Sequence, residues 1–192
     1  MIDPHFGNVR KLRKSFNEIG HAHELTFSCY HRYPLLAKDR TRKWLVDSIY
    51  QARETCGFDL WAYVIMPEHA HLLVLLRFDD YDIAAILKSI KQPVARKAMN
   101  YLRSSAPEWL EKLQVVLPSG KIEHHFWQSG GGYDRNIYHA RTAWTSVDYL
   151  HLNPVRRGMV ATATDWIWSS ARCYAGMDGV VLPVDGRPPD PS

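Results

Sequence analysis

The chain has 192 residues, a formal charge of +4 and a pI near 9.0, and this length suffices for one domain with its own core. Its hydrophobic fraction of 46% is that of a globular protein, and no apolar run approaches the ~20 residues that a transmembrane helix requires. The cysteines (Cys29, Cys56 and Cys173) form no Cys-x-x-Cys pair, which argues against a zinc ribbon or a disulfide framework. The cytoplasm is therefore the default location.

The first predicted elements follow a basic N-terminal arm, residues 1–21. Residues 23–30 alternate apolar and polar side chains, which is typical of a strand. Apolar residues at helical spacing then predict a helix over 39–55, with Gly57 in the usual C-terminal position.

A hairpin and a second helix come next. Residues 58–66 and 69–77 are apolar and partly branched, and Pro67 lies between them. These two segments predict a pair of antiparallel strands. Helical spacing resumes over 83–101, where Pro93 is expected to kink or split the helix.

The last part of the chain predicts a strand over 124–128 and a long helix over 136–152, with the flexible stretch Gly130–Gly132 between them. No second domain is visible. We therefore expect a single domain over 22–175 and a disordered, proline-rich tail over 176–192.

The predicted order is strand, helix, strand, strand, helix, strand, helix. This is the ferredoxin-like, split βαβ pattern, to which a C-terminal helix is added. The predicted fold class is therefore α+β, with an antiparallel sheet and helices on one face.

Two histidines stand at the start of the third predicted strand, in Met66-Pro67-Glu68-His69-Ala70-His71-Leu72-Leu73. Side chains alternate between the faces of a strand, so His69 and His71 project from the same face. Neutral imidazole is a common ligand of divalent metals. The spacing also fits two histidines at a half-exposed strand end, and by itself it does not separate the two interpretations.

Two further candidates lie on the last helix. Tyr149 and Asn153 are four residues apart and therefore share a helix face. The asparagine offers an oxygen to a metal, and a deprotonated phenol is a nucleophile for phosphate. Alternatively, Asn153 precedes Pro154 and could simply end the helix, and Tyr149 could be a core aromatic.

The histidine motif and the segment Tyr149-Leu150-His151-Leu152-Asn153-Pro154-Val155-Arg156-Arg157-Gly158 together resemble the single-tyrosine HUH transposases. Within that family the chain is most similar to the REP-associated tyrosine transposases, relatives of the IS200-type enzymes. Phe126-Trp127-Gln128 and Trp168-Ser169-Ser170 fit the same branch. The resemblance extends from about residue 23 to residue 174.

The resemblance implies metal-dependent cleavage and strand transfer of single-stranded or hairpin (REP-like) DNA in DNA transposition. It implies that His69, His71 and Asn153 ligate Mg²⁺ or Mn²⁺. Tyr149 would attack the scissile phosphate, giving a 5′-phosphotyrosine intermediate and a free 3′-hydroxyl. Relatives include monomers and dimers with exchanged sites, so either a monomer or a homodimer is expected, and no membrane partner is expected. Glu68 departs from the asparagine that is usual in the family.

Basic side chains are the candidates for DNA contact, because Lys and Arg clusters bind phosphate backbones. They are Arg10, Lys11, Arg13, Lys14, Arg40, Arg42, Lys88, Lys91, Arg96, Lys97, Arg156 and Arg157. For Arg156 or Arg157 alone, a solvated helix end is an equally open interpretation.

Two other functions stay open. A domesticated protein could bind DNA hairpins on this scaffold without cleaving them. A metallohydrolase could use the histidine pair without a covalent intermediate.

Overall fold

The computed structural model describes residues 20–191, so the candidates Arg10, Lys11, Arg13 and Lys14 lie outside the described residues. Within residues 20–191, no helix combines the length and the apolar character that crossing a bilayer demands. The strands and helices are β1 (Ala22–Ser28), α1 (Asp39–Cys56), β2 (Phe58–Ile65), β3 (His69–Leu76), α2 (Ile83–Ser105), α3 (Glu108–Lys112), β4 (Gln114–Val116), β5 (Ile122–His124), β6 (Tyr133–Ile137), α4 (Ala140–Arg156) and α5 (Ala171–Tyr174).

The main sheet has the strand order β2-β3-β1-β6, and each pair of neighbours is antiparallel. β1 and β3 are therefore the central strands, and their register places Thr26 opposite His71 and Ser28 opposite His69. This arrangement confirms the predicted α+β, split βαβ architecture. β4 and β5 form a separate two-stranded sheet.

The sheet separates two apolar cores, because side chains alternate along each strand. On one face, Leu25, Phe27 and Leu72 pack with residues of α1 and α2 in the larger core. On the other face, Leu73 packs with residues of α4 in a smaller core. The first two helices thus share one face, as predicted, and α4 covers the opposite one.

The fourth strand of the sheet differs from the predicted one. It is β6, whereas the predicted segment 124–128 contributes mainly the end of β5 and an isolated bridge between Trp127 and Cys29. β6 is an edge strand on which only Ile137 is buried, so it lacks the apolar alternation that marks a strand in the sequence.

The helix boundaries also differ from the predicted ones. α4 begins at Ala140 and continues through Pro154 to Arg156, so Asn153 does not end it. The Arg157 amide donates to the Asn153 carbonyl at 3.2 Å, which continues the helical hydrogen bonding past the proline. α2 is one continuous helix with Pro93 inside it, so the proline does not split the helix.

The C-terminal tail contacts the edge of β2, in contrast to the expected disorder. Leu182 is 1% exposed, and its amide donates to the Tyr63 hydroxyl at 3.2 Å. The Leu60 amide donates to the Asp185 carboxylate, and the Asp185 amide donates to the Leu60 carbonyl, each at 2.9 Å. The buried Leu182 side chain and the two hydrogen bonds to the edge of β2 therefore hold this segment in place, although it forms no regular secondary structure.

Candidate functional site

The two histidines lie at the start of β3, on the face of the sheet that α4 covers. His69 and His71 are 6% and 7% exposed, and their ring centroids are 4.8 Å apart. The strand therefore projects both imidazoles side by side, as the spacing predicted.

Each imidazole is held at its Nδ1 atom by a neighbouring side chain. The Nδ1 of His69 lies 3.0 Å from the Glu68 carboxylate, and the Nδ1 of His71 lies 2.7 Å from the Thr26 hydroxyl. A carboxylate only accepts hydrogen bonds, so the His69 ring carries its proton on Nδ1. No described residue hydrogen-bonds either Nε2 atom. This is the usual arrangement of metal-binding histidines, in which a partner at one nitrogen fixes the ring and leaves the other for the metal.

Burial keeps both imidazoles neutral. It lowers the pKa of His71 to about 3, with a smaller contribution from the neighbouring His69. Burial also lowers the pKa of His69, although the Glu68 carboxylate opposes this effect. Neutral imidazole is the form that binds a metal ion.

Tyr149 and Asn153 of α4 and Arg157, the residue that follows the helix, succeed one another at four-residue spacing along the same side. The Tyr149 ring is 43% exposed, and its centroid lies 5.7 Å from that of His71 at an interplanar angle of 90°. Two turns later, Arg157 donates a hydrogen bond to Glu68. Asn153 lies between these two contacts, is 7% exposed, and has no side-chain hydrogen-bond partner among the described residues.

Glu68, whose role the sequence left open, is a buried carboxylate next to His69. It accepts from Arg157 and from His69, and the Arg32 guanidinium lies 3.5 Å away. Burial alone would raise the pKa of the Glu68 carboxyl, but the hydrogen bond from Arg157 and the nearby positive charges outweigh it and lower this pKa below its usual range. Glu68 is therefore ionised at neutral pH.

An open cleft of about 400 Å³ lies next to Tyr149 and His71. Its other lining residues are Glu24, Thr26, Tyr133, Arg135, Thr145 and Ser146. Ser146 donates to Glu24 at 2.8 Å, and Arg135 lies 3.7 Å from the same carboxylate. The sequence interpretation missed this group. Glu24 and Thr26 are alternate polar positions of β1, and that alternation was the available signal.

The donor set determines which metal the site fits. Within residues 20–191, no group of three or more His, Cys, Asp or Glu side chains could hold a metal ion. Asn153 is the ligand that the sequence predicts beside the two histidines, and it is buried on the helix that covers them. Imidazole nitrogen suits transition metals, and amide oxygen suits hard cations such as Mg²⁺ and Mn²⁺. A set of two imidazoles and one amide oxygen, as predicted from the sequence, would suit Mn²⁺ better than Mg²⁺.

The basic residues at the end of α4 have distinct surroundings. The Arg156 guanidinium lies 5.3 Å from the centre of the Tyr149 ring. Arg157 is engaged by Glu68. Of the two, Arg156 is therefore the free cation next to the tyrosine.

The structure does not bring the predicted basic residues of α1 and α2 to this site, because those helices cover the other face of the sheet. Lys88 and Lys91 line a groove with Trp127 and the glycine-rich loop. Lys97 lies 3.9 Å from Asp47, and Arg40 lies over the Tyr101 ring at 3.4 Å. Arg96 is exposed.

The surroundings of Arg42 argue against the DNA contact predicted for it. Its side chain is 8% exposed and lies 3.3 Å from Asp39. The guanidinium also lies 4.9 Å from the centre of the Trp166 ring. Arg42 therefore packs inside the protein and is not available to a phosphate backbone.

Comparison with known proteins gives one family and several relatives. The model of the family described as "Transposase IS200 like" matches residues 19–134, which include both histidines and end before α4. A Haemophilus influenzae protein, provisionally named a REP-associated tyrosine transposase, is 28% identical over 145 residues, which cover 72% of this chain and 77% of that protein. The REP-associated tyrosine transposase of Escherichia coli K12 is 24% identical over 123 residues, or 64% of this chain and 60% of that protein.

A solved structure has the same fold. It is that of a REP-associated tyrosine transposase bound to a REP hairpin, with a TM-score of 0.67 and 21% sequence identity. The match covers 88% of this chain and 86% of that chain. It therefore extends beyond the sequence-matched region.

Proposed function

This chain belongs to the IS200-like transposases, a family of DNA-cleaving enzymes, and on that premise we propose that it cleaves and rejoins single-stranded DNA beside a hairpin through a covalent bond to Tyr149. The observation that carries this proposal is the contact between the Tyr149 ring and His71 at the edge of an open cleft. It brings a nucleophile and a metal-ligand candidate of one chain within reach of the same phosphate.

Tyr149 acts as the nucleophile. A free phenol is almost wholly protonated at neutral pH, so the hydroxyl has to lose its proton as it attacks phosphorus. The Arg156 guanidinium, 5.3 Å from the ring centre, provides positive charge near the phenolate that forms. The exposure of the ring, 43%, leaves room for DNA to approach it.

His69 and His71 would hold a Mn²⁺ or Mg²⁺ ion through their Nε2 atoms, together with the Asn153 amide oxygen. When bound, the ion supplies Lewis-acid polarisation of a non-bridging phosphate oxygen. Thr26 fixes the His71 ring through Nδ1, which leaves Nε2 directed away from that bond. The neutral state of both rings leaves their lone pairs available.

Strand transfer exchanges one ester bond for another. The Tyr149 oxygen forms a bond to phosphorus, and the bond from phosphorus to the 3′-oxygen of the preceding nucleotide breaks. Water takes up the phenol proton and supplies one to that oxygen, which leaves as a free 3′-hydroxyl. Because the phosphodiester energy is retained in the 5′-phosphotyrosine, rejoining to a 3′-hydroxyl requires no ATP.

The DNA partner is proposed from the relatives and from the charge of the site. The solved relative is bound to a REP hairpin, and hairpin DNA is the substrate that we infer for this chain. Arg135 at the cleft and Arg156 beside the tyrosine are the described cations that can contact the flanking single strand.

The decisive experiment incubates the protein with a hairpin oligonucleotide carrying single-stranded flanks, in the presence of Mn²⁺. The wild type should give a covalent protein–DNA adduct on a denaturing gel. Tyr149→Phe should give none, while its affinity for the hairpin stays close to that of the wild type. Tyr138→Phe is the matched control, because Tyr138 is also an exposed tyrosine, at 65%, and lies outside the cleft.

Each contrary outcome identifies another function. Hairpin binding without an adduct, in the presence of Mn²⁺ and in a parallel incubation with Mg²⁺, indicates the non-catalytic binder. Cleavage that persists in Tyr149→Phe but is lost in His71→Ala indicates a metallohydrolase.

A further inference from the structure

The Glu68 side chain, next to the first residue of the histidine strand, reaches the residue that follows the tyrosine helix. Its carboxylate contacts three groups from separate parts of the chain. These are the Nδ1 of His69, the guanidinium of Arg157 after α4, and that of Arg32 between β1 and α1. The Glu68 carbonyl also accepts from the Cys29 amide at 2.8 Å, which fixes the backbone of the same residue.

Because the Glu68 carboxylate is buried, losing one of these contacts would leave a charge without a partner inside the protein. The Glu68 side chain is 9% exposed, and a buried carboxylate is tolerated when its oxygens are paired. Arg157 and Arg32 supply two positive charges for one negative charge. The pair with Arg157 is the closer one, and Arg32 is 67% exposed and more distant, at 3.5 Å. Arg157 is thus the main partner of the carboxylate.

Two contacts define how α4 lies along β3. The Tyr149 ring meets His71, and Arg157, eight residues later, meets Glu68. Eight residues of helix span about 12 Å, so the contacts lie at well-separated points of the helix axis. A displacement of α4 along its axis by one residue, about 1.5 Å, would alter both contacts together.

The segment that brings Arg32 to Glu68 has an unusual backbone. His31 and Arg32 have φ values of 48° and 55°, and among the described residues they are the only non-glycine residues with positive φ. The His31 amide donates to the Gln128 side chain at 3.3 Å, which helps to hold this conformation. Such backbone strain persists where the surrounding structure fixes it, and it is frequent beside functional sites.

We propose that Glu68 is a positioning residue of strand transfer: it orients His69 through Nδ1, and through Arg157 it fixes where the tyrosine helix lies relative to the two histidines. The proposal rests on the proposed function, and it assigns both tasks to a single carboxylate. Displacements of about 1 Å in a reacting group can lower rates by about 100-fold, so the second task bears directly on the rate.

The test separates the two tasks with Glu68→Gln and Arg157→Met. Binding of Mn²⁺ to the DNA-free protein, measured by calorimetry, should weaken about 10-fold or more in Glu68→Gln, because the carboxylate that holds the His69 ring at Nδ1 is lost. It should change by less than about twofold in Arg157→Met, which leaves the bond between Glu68 and His69 in place. Adduct formation at saturating hairpin should slow about 10-fold in both variants.

The double variant tests whether Arg157 acts through Glu68. If it does, Glu68→Gln/Arg157→Met should form adduct no more slowly than Glu68→Gln alone, because the coupled losses are not additive. Multiplied losses would mean that Arg157 acts on the DNA independently and would overturn the helix-positioning task. Glu123→Gln is the matched control, since Glu123 pairs with Lys121 at 2.9 Å on an exposed strand.

Hydrogen exchange without DNA gives a readout that does not depend on the reaction. The amides of Arg157 and Gly158, which donate to the Asn153 and Val155 carbonyls, should exchange faster in Glu68→Gln and in Arg157→Met than in the wild type. Unchanged exchange together with unchanged Mn²⁺ affinity would overturn the proposal. If the wild type forms no adduct, the proposed function fails, while exchange and metal affinity still decide the role of Glu68.

Discussion

At the scale of single residues, His151 is the buried titratable group of α4 that faces the C-terminal segment. Its Nε2 lies 2.8 Å from the Ser170 hydroxyl, and its ring packs at 4.9 Å from that of Tyr174. Burial lowers the pKa of His151 to about 4. The folded protein therefore keeps this ring neutral at pH values at which the unfolded chain would protonate it.

The consequence is a loss of stability in acid. As pH falls from about 6.5 to about 4, the unfolded state binds a proton at His151 that the folded state does not, so the free energy of unfolding decreases by up to about 3 kcal/mol. His151→Gln has no titrating ring and should lose less stability over this interval. Urea unfolding at pH 7 and pH 4.5 measures the difference, and equal losses in both proteins would contradict it.

The candidate site residues that the sequence identified occur in pairs on a single strand or a single helix. His69 and His71 lie on one strand, and Tyr149 and Asn153 lie on one helix, so the period of each element predicts that each pair shares a face. The supporting contacts are long-range. Thr26 and His71 are 45 positions apart, and Arg157 and Glu68 are 89 apart. No local period encodes such contacts, so the sequence left the role of Glu68 open and missed Thr26.

At the scale of elements, Gly132 is the position of the glycine-rich loop where an added Cβ atom would clash with the backbone of another strand. Gly132 has a φ of 73°, and a Cβ atom there would lie 2.3 Å from the Thr26 carbonyl oxygen. The loop therefore enters β6 by passing directly against β1. Close approach to β1, rather than loop motion, explains this glycine.

Gly132→Ala should destabilise the protein by about 1–3 kcal/mol, because the side chain clashes and the backbone is strained. Gly131→Ala is the neighbouring control. No atom lies within 4 Å of its added Cβ, and its change should stay within about 0.5 kcal/mol. Chemical denaturation compares the two, and equal stabilities would show that the loop does not need this close approach.

The same edge shows why one strand was missed. The hairpin of β2 and β3 was predicted because both strands are buried and apolar. β6 is polar at most of its positions and is placed by its register with β1, from Thr26 opposite Tyr133 to Ala22 opposite Ile137. The position of β6 depends on pairing with a distant strand. The strand was predicted at 124–128 instead, because that segment is more hydrophobic.

At the scale of the whole molecule, the contact of the tail with β2 makes the C-terminus part of the larger core. Leu182→Ala should lower the free energy of unfolding by about 2–5 kcal/mol, as for other buried leucines. Met177→Ala is the control on the same segment, because Met177 is 46% exposed. A disordered tail would instead leave both variants as stable as the wild type in thermal unfolding.

The fold class and the family were both predictable from the sequence, and both are confirmed. The fold followed from the order of elements, which tolerates errors of several residues in their bounds. The family followed from two motifs far apart in the chain. The contacts of the tail were not predictable from its prolines and glycines, because the burial of Leu182 depends on residues of the core that are distant in the chain.

The contact between Tyr149 and His71 lies within one polypeptide, and this bears on reaction order. A site divided between subunits forms only when two molecules meet, so it is lost on dilution. A site whose strand and helix belong to the same chain assembles as that chain folds. Under the proposed function, one molecule would therefore suffice for one DNA end, and a low protein concentration would reduce the number of ends that react without slowing each reaction.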